Sequence, residues 1–343
     1  MKLLVLGGTG VISRQIVSQA IQKGVDVTIF NRGNRTLPEC AGARVLIGNR
    51  ADADFASKFS SELFDVVIDM ICYTDDDAKQ TINTFSDKAD QIIVTSSIAA
   101  YNRPYHSYPI REDTESLRIN DPSFDYGYKK AQLDSYLQSQ MGRHHAAITI
   151  IRPSLTFGPG AANFGMLRQN RNLVRRIREG KPVVMVGEGV IPWNFTFAHD
   201  LATAFVLACG NQNTYNDYFH VTNDEIVMWE DLYRAIGHTV GRDPEFCYIS
   251  SHLLAEFYPS VCQHLNAEKV HFSVFSNEKF KKAVPEYAPH IGVDEGVKEL
   301  INWWEKTNFP YDEEKEILED DICNLYHKFE EGLIALKTKN KLN

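Results

Sequence analysis

Short apolar runs alternate with stretches of helical periodicity through the first half of the chain. The runs at residues 2–6, 25–30, 44–47, 66–70, 91–95 and 147–151 are mostly continuous rather than alternating in hydrophobicity. A strand that is apolar at successive positions is buried on both faces, which predicts a parallel sheet covered by helices. Between these runs, residues 14–23, 76–85 and 126–140 carry the spacing of helices. The alternation predicts an α/β fold, a doubly wound parallel sheet occupying residues 1–155.

After Arg152-Pro153 the pattern changes. Glycine and proline cluster at Gly158-Pro159-Gly160 and again over residues 187–192, and helical spacing dominates at 167–179, 200–209 and 229–240. A smaller, mostly helical C-terminal lobe for substrate is expected over residues 156–311. From residue 312 the chain is charged and helix-prone, with Ile317, Ile322, Leu325 and Phe329 on an apolar stripe. This 312–343 extension is expected to pack on the body or on a second subunit.

Composition narrows the function classes. A chain of 343 residues with 43% hydrophobic content can bury one large core or two smaller ones. A net charge of −9 argues against a nucleic-acid partner, because phosphate backbones reward clustered Lys and Arg. No apolar run approaches the ~20 residues that span a bilayer, so no membrane partner is expected. The opening strand is too short for a signal peptide. The six cysteines are scattered without a CxxC pair, which predicts free thiols in a reducing, cytoplasmic setting and no metal site.

The first chemistry lies at Gly7-Gly8-Thr9-Gly10, between the opening strand and the first helix. Strand, glycine turn and helix in that order present backbone N–H groups and a helix N-terminus to a pyrophosphate. Gly7, Gly8, Thr9, Gly10, Val11 and Ile12 are the expected cofactor contacts. Ser13 stands where a glycine is usual; its hydroxyl can pack closely and can donate to a phosphate.

The second strand ends in Asn31-Arg32-Gly33-Asn34-Arg35. An acid near this point accepts from the ribose hydroxyls of NAD, whereas an arginine accommodates a 2′-phosphate. Arg32, with Arg35 behind it and Asn31 before it, predicts NADP, with NAD as the alternative. Both arginines could instead be solvated loop residues. Asn49, after the third strand, is expected at the adenine edge.

Tyr126 and Lys130 are four residues apart and so share one helix face. An ammonium beside a phenol favours the phenolate, which makes an acid/base able to exchange a proton with a substrate hydroxyl. Upstream, the strand at 91–95 ends in Ser96-Ser97, where a hydroxyl can hold the same oxygen. Ser96 is read as the supporting neighbour.

The glycine turn, the Ser-Ser strand end and Tyr-x-x-x-Lys, in this order, resemble the extended short-chain dehydrogenase/reductase superfamily. The resemblance is to its NAD-dependent epimerase/dehydratase family, whose nucleotide domain is a Rossmann sheet. Ile151–Gly160, Phe197-Ala-His-Asp200 and the 275–287 segment are similar to further segments of that family. The resemblance carries the catalytic serine onto Ser97, the acid/base onto Tyr126 and the cofactor-ribose lysine onto Lys130. It also implies a homodimer through the helix bearing Tyr126, with Leu133 and Leu137 on an apolar stripe that equally suits a core.

Two departures restrict the reaction. Family dehydratases follow the serine with an Asp-Glu pair; here Ile98 and Ala99 cannot transfer protons, which disfavours both dehydration and uronate decarboxylation. Family members acting on nucleotide sugars carry Arg-Asp-Phe where this chain has Trp193-Asn194-Phe195. Trp193 is a candidate for stacking on substrate, with Asn163 and Arg168 as further substrate contacts. Arg168, Arg171 and Arg175 are expected on one helix face; with Arg176 they form a basic surface or supply a substitute clamp. Asp200 is read as the cap of a helix beginning at Leu201. Epimerisation of a sugar or sugar nucleotide and NADPH-dependent ketone reduction both remain open. A non-catalytic nucleotide-binding or RNA-binding regulator of the same fold is a distant alternative.

Overall fold

The apolar runs become strands in the computed structural model, which describes residues 1–35, 37–162, 164–307 and 311–340. The strands β1 (Lys2–Leu6), β2 (Asp26–Asn31), β3 (Arg44–Ile47), β4 (Phe64–Asp69), β5 (Ala89–Thr95) and β6 (Ala147–Pro153) follow the predicted runs closely. The next four, β7 (Leu155–Phe157), β8 (Val183–Val186), β9 (Pro192–Trp193) and β10 (Phe195–Phe197), leave the sheet, and β11 (Asp217–Val221) returns to it. The seven strands of the main sheet lie in the order β3-β2-β1-β4-β5-β6-β11 and every pairing is parallel. The order reverses between β1 and β4, and the crevice outside the carboxyl ends at such a point is where open α/β sheets bind ligands.

Successive side chains of a strand point to opposite faces, so each strand feeds two cores. Leu3 and Val5 join Ile16, Val17 and Ala20 of α1 (Ser13–Gln22). Leu4 and Leu6 join Ile82 and Phe85 of α2 (Asp75–Phe85), and Leu133 and Leu137 of α3 (Asp125–Gln140). Leu133 and Leu137 are therefore core residues, not a subunit surface. On the first face α5 (Ala198–Ala208) packs beside α1 through Leu201, Ala202 and Phe205.

The chain forms two compact units. The first comprises Met1–Gly158, Asn194–Glu225 and Val274–Gly292, and holds the sheet and the β7–β10 pair. The second comprises Pro159–Trp193, Ile226–Ser273 and Val293–Asn343. It contains α4 (Leu173–Glu179), α6 (Trp229–Val240), α7 (Ser251–Phe257) and α8 (Pro259–His264). It also contains the strands β12 (Val227–Met228) and β13 (Phe246–Ile249), paired with β9 and β8. The short α9 (Glu278–Ala283) belongs to the first unit, and α10 (Val293–Thr307) and α11 (Glu313–Asn340) to the second.

One buried cation organises the second unit. Arg176 of α4 is fully buried and bonds Asp320 at 2.7 Å, with Glu316 at 3.0 Å and Glu319 at 3.5 Å. Lys181 adds a bond to Glu316 at 2.7 Å, and Asn170 donates to Glu319 at 2.6 Å. These contacts hold the first half of α11. The expected basic face does not form: α4 begins at Leu173, so Arg168 and Arg171 precede it, and Arg175 pairs with Glu179 at 2.7 Å. Among the described residues, all six cysteines are free, no helix is long and apolar enough to cross a membrane, and no cluster of metal-ligating side chains occurs.

Candidate active site

The turn after β1 requires its glycines. Gly7 and Gly8 have φ of +110° and +80°, in the left-handed region, and a Cβ on Gly8 would stand 2.9 Å from Ile29. Gly7 N donates to Phe30 O at 2.8 Å, tying the turn to the end of β2. At the start of α1, Ile12 offers no side-chain cap and the first turn carries no acid. By contrast, α2 is closed by a capping box of Thr74 and Asp77. A helix end left open above a glycine turn suits a pyrophosphate. Ser13 is buried and packs closely in the place of a glycine, and its Oγ accepts the Gly10 N–H at 2.9 Å, bracing the turn from inside.

At the end of β2, Asn31 Oδ1 accepts from Gly33 N at 2.8 Å, and the tight turn leaves Arg32 and Arg35 exposed. Asn49 is exposed too, its Oδ1 accepting from Ala51 N at 3.2 Å. Arg50 beside it is fully committed: it bonds Asp69 at 2.7 Å and Gln80 at 3.0 Å, and reaches Thr81. Residues able to hold a dinucleotide thus gather at the carboxyl edge of β1 to β3.

The residues expected to exchange protons with substrate stand near the carboxyl edge of β5. Ser96 turns inward, donating to Asp134 at 2.6 Å. Ser97 caps a short 3-10 turn (Ile98–Ala100), its Oγ accepting from Ala99 N at 3.1 Å. That bond leaves the hydroxyl proton available to a substrate oxygen. Tyr126, in the first turn of α3, is half-buried with its ring edge-on to Phe124 at 6.1 Å. Gly127 lets this turn approach the serine loop, since a Cβ there would lie 2.5 Å from Ala99 O.

One turn further, Lys130 Nζ donates to Thr95 O and Cys72 O, each at 2.7 Å. The two carbonyls fix the ammonium between the ends of β5 and β4. Burial lowers its pKa to about 8, against the pull of nearby acids. The half-exposed Tyr73 ring lies 5.1 Å from the ammonium. Neither Cys72 nor Tyr73 was read from the sequence; their position just past a strand end is the signal that would have found them.

A buried chain of polar groups lies behind these residues. Arg152 bonds Asp134 at 2.7 Å and Tyr101 Oη at 2.6 Å, and Tyr101 Oη meets His220 Nε2 at 2.6 Å. Burial and Arg152 push the His220 pKa well below its usual value. The neutral ring donates from Nδ1 to Ser276 O at 3.3 Å and accepts the Tyr101 proton at Nε2.

The model of the NAD dependent epimerase/dehydratase family matches residues 3–219. The chain belongs to that family. It is thus an enzyme of the extended short-chain dehydrogenase/reductase type. A 2'-dehydrokanamycin reductase of Streptomyces kanamyceticus is 24% identical over 245 residues, covering 71% of this chain and 67% of the relative. A chloroplast stem-loop binding protein of 41 kDa from Arabidopsis thaliana is 25% identical over 316 residues, covering 88% and 78%. Among solved structures, a UDP-glucuronic acid 4-epimerase of Bacillus cereus in complex with NAD shares the fold. Its TM-score is 0.71 at 15% identity, with 89% of this chain and 99% of that one covered.

Other expected residues of this family member fall differently. Trp193 is 2% exposed and packs at 5.3 Å against Trp229, so its ring is occupied in the core of the second unit and is not presented for stacking on a substrate. Arg168 is exposed, with its backbone N donating to Val261 O at 2.9 Å. Asn163 lies outside the described residues. Asp200 does not cap α5, which begins at Ala198. Its Oδ2 instead accepts from His290 N at 2.9 Å and Ile291 N at 2.8 Å, fixing a loop.

Proposed function

We propose that this family member epimerises a sugar or sugar nucleotide by oxidising a carbinol to a ketone and returning hydride to the opposite face. The observation that carries the reading is a buried lysine cation, one helical turn past a half-buried tyrosine, at the strand edge that also bears Ser97. When bound, the nicotinamide supplies the hydride acceptor and donor. Tyr126 takes the hydroxyl proton and later gives one back, Lys130 favours its phenolate, and Ser97 donates to the substrate oxygen. Buried Ile98 and Ala99 offer no second acid or base, which supports simple carbinol–ketone exchange over elimination. Exposed Arg32 supports NADP as the dinucleotide.

A second reading, net ketone reduction by NADPH, is favoured by the same Arg32 and by the likeness to a 2'-dehydrokanamycin reductase. Incubation with a panel of sugars and nucleotide sugars separates the two. Epimerisation changes product stereochemistry with no net change in nicotinamide absorbance, and reduction consumes NADPH stoichiometrically. Tyr126→Phe should lower turnover on the order of 10²- to 10⁴-fold while cofactor affinity is kept. Normal turnover in that variant would remove Tyr126 from the mechanism.

A further inference from the structure

The loop between β4 and α2, residues 70–74, is fastened along its length. Ile71 N donates to Asp69 Oδ1 at 3.0 Å, and Arg50 donates to Ile71 O at 2.8 Å. Asp77 Oδ2 accepts from Tyr73 N at 2.8 Å and from Thr74 N at 3.0 Å, within the box that closes α2. A backbone held at so many points fixes what its carbonyls and side chains face. Cys72 O meets the Lys130 ammonium at 2.7 Å, and the Tyr73 ring lies 5.1 Å from the same nitrogen. Lys130 is buried and Tyr73 half-exposed, so the ring reaches from a buried charge to the surface.

The acids around this ammonium are already paired. Asp69 of β4 and Asp77 of α2 meet Arg50 at 2.7 and 3.7 Å, and Asp134 of α3 meets Arg152 at 2.7 Å. They favour the Lys130 charge only from a distance. The Cys72 thiol is kept protonated by burial. The Tyr73 phenol stays neutral as well, because burial, then Asp69 and Asp77, raise its pKa. What touches the cation is two carbonyls and an aromatic ring. The face of such a ring is the negative part of its quadrupole and attracts a cation within about 6 Å.

We infer that Tyr73 is a positioning residue, its ring holding the Lys130 ammonium in place between the ends of β4 and β5. The inference rests on the reading of Lys130 as the partner of Tyr126. The carbonyls orient the ammonium from the sheet edge, and the ring bears on it from the loop. The hydroxyl has no part in this hold, so phenylalanine should serve as well as tyrosine and leucine should not.

NMR titration of Lys130 reads the hold without reference to turnover, in the full chain carrying isotope-labelled lysine Cε, with the signal assigned by its loss in Lys130→Arg. Wild type and Tyr73→Phe should share one midpoint. Tyr73→Leu keeps an apolar cover and removes the ring, and should lower the midpoint by about half a pH unit. On a substrate from the sugar panel, kcat/KM of Tyr73→Leu should then be about threefold lower near pH 9 and unchanged near pH 6. An unmoved Lys130 midpoint in Tyr73→Leu overturns the inference, as does a Tyr73→Phe midpoint shifted as far as that of Tyr73→Leu. A midpoint that moves while the kinetic profile stays supports the ring's hold and counts instead against Lys130 in the proposed function.

Discussion

Lys130 remains a cation only because two carbonyls compensate for the water it has lost. With its pKa lowered to about 8, Lys130 loses this charge above that pH, and on the proposed mechanism the support for the Tyr126 phenolate goes with it. The expected profile of kcat/KM falls above pH about 8, with Lys130 as the descending limb; a flat profile to pH 10 would detach the lysine from catalysis. Lys269 shows the same physics without the chemistry. It donates to Gly165 O at 2.6 Å, lies 4.3 Å over the Trp229 ring, and has a pKa lowered by burial to about 7. Its folded value is below its unfolded one, so its destabilising effect is full below pH 7 and relieved as pH rises toward the unfolded value. The stability advantage of Lys269→Met should therefore shrink between those limits, by up to about 1.4 kcal/mol per pH unit in denaturant titrations. The placing of Ser97 just past a strand end, and of Tyr126 and Lys130 one helical turn apart, could be read from the sequence because local spacing specifies position. Trp193 and Arg176 could not, because their burial is decided by Trp229 and by acids about 140 residues away.

At the scale of elements, Gly127 is where helix and loop must nearly touch. Gly127→Ala should push the start of α3 from Ala99 O and lower kcat on the order of a hundredfold, with Lys130 and the fold intact; steady-state kinetics beside a thermal melt would show the split. The α4–α11 clamp makes a different demand. Arg176→Met strands buried Glu316 and Glu319, and should cost about 3–5 kcal/mol in denaturant unfolding. Sequence periodicity carried α1, α2, α3 and α6 nearly to the residue. It started α4 too early, because Arg168 and Arg171 keep helical spacing while the Asn170 side chain bonds locally and the Asn172 side chain bonds the backbone of Asp312. Asn170 Oδ1 accepts from Asn172 N at 2.9 Å, and Asn172 Nδ2 donates to Asp312 O at 2.6 Å. Such side chains offer the backbone an alternative to the helix.

At the scale of the whole molecule, long-range pairing escapes a local reading. The first six sheet strands were visible as apolar runs, but β11 reads Asp-Tyr-Phe-His-Val, with two polar residues in five, and lies 64 residues beyond β6. Its place is fixed by the parallel ladder with β6 and by His220, which ends the buried chain running through Tyr101 and Arg152 to Asp134. Asp134→Ala should leave the Arg152 cation buried without its acid and destabilise the first unit by about 3–5 kcal/mol, measured by denaturant unfolding. The ladder has a consequence during synthesis. Until residues 217–221 leave the ribosome, β6 is the open border of the sheet, its amides and carbonyls available to any strand that arrives first. The nascent chain must keep that border from strangers while more than sixty further residues are made, and a fragment stopped at Gly158 should precipitate where the full chain stays dispersed.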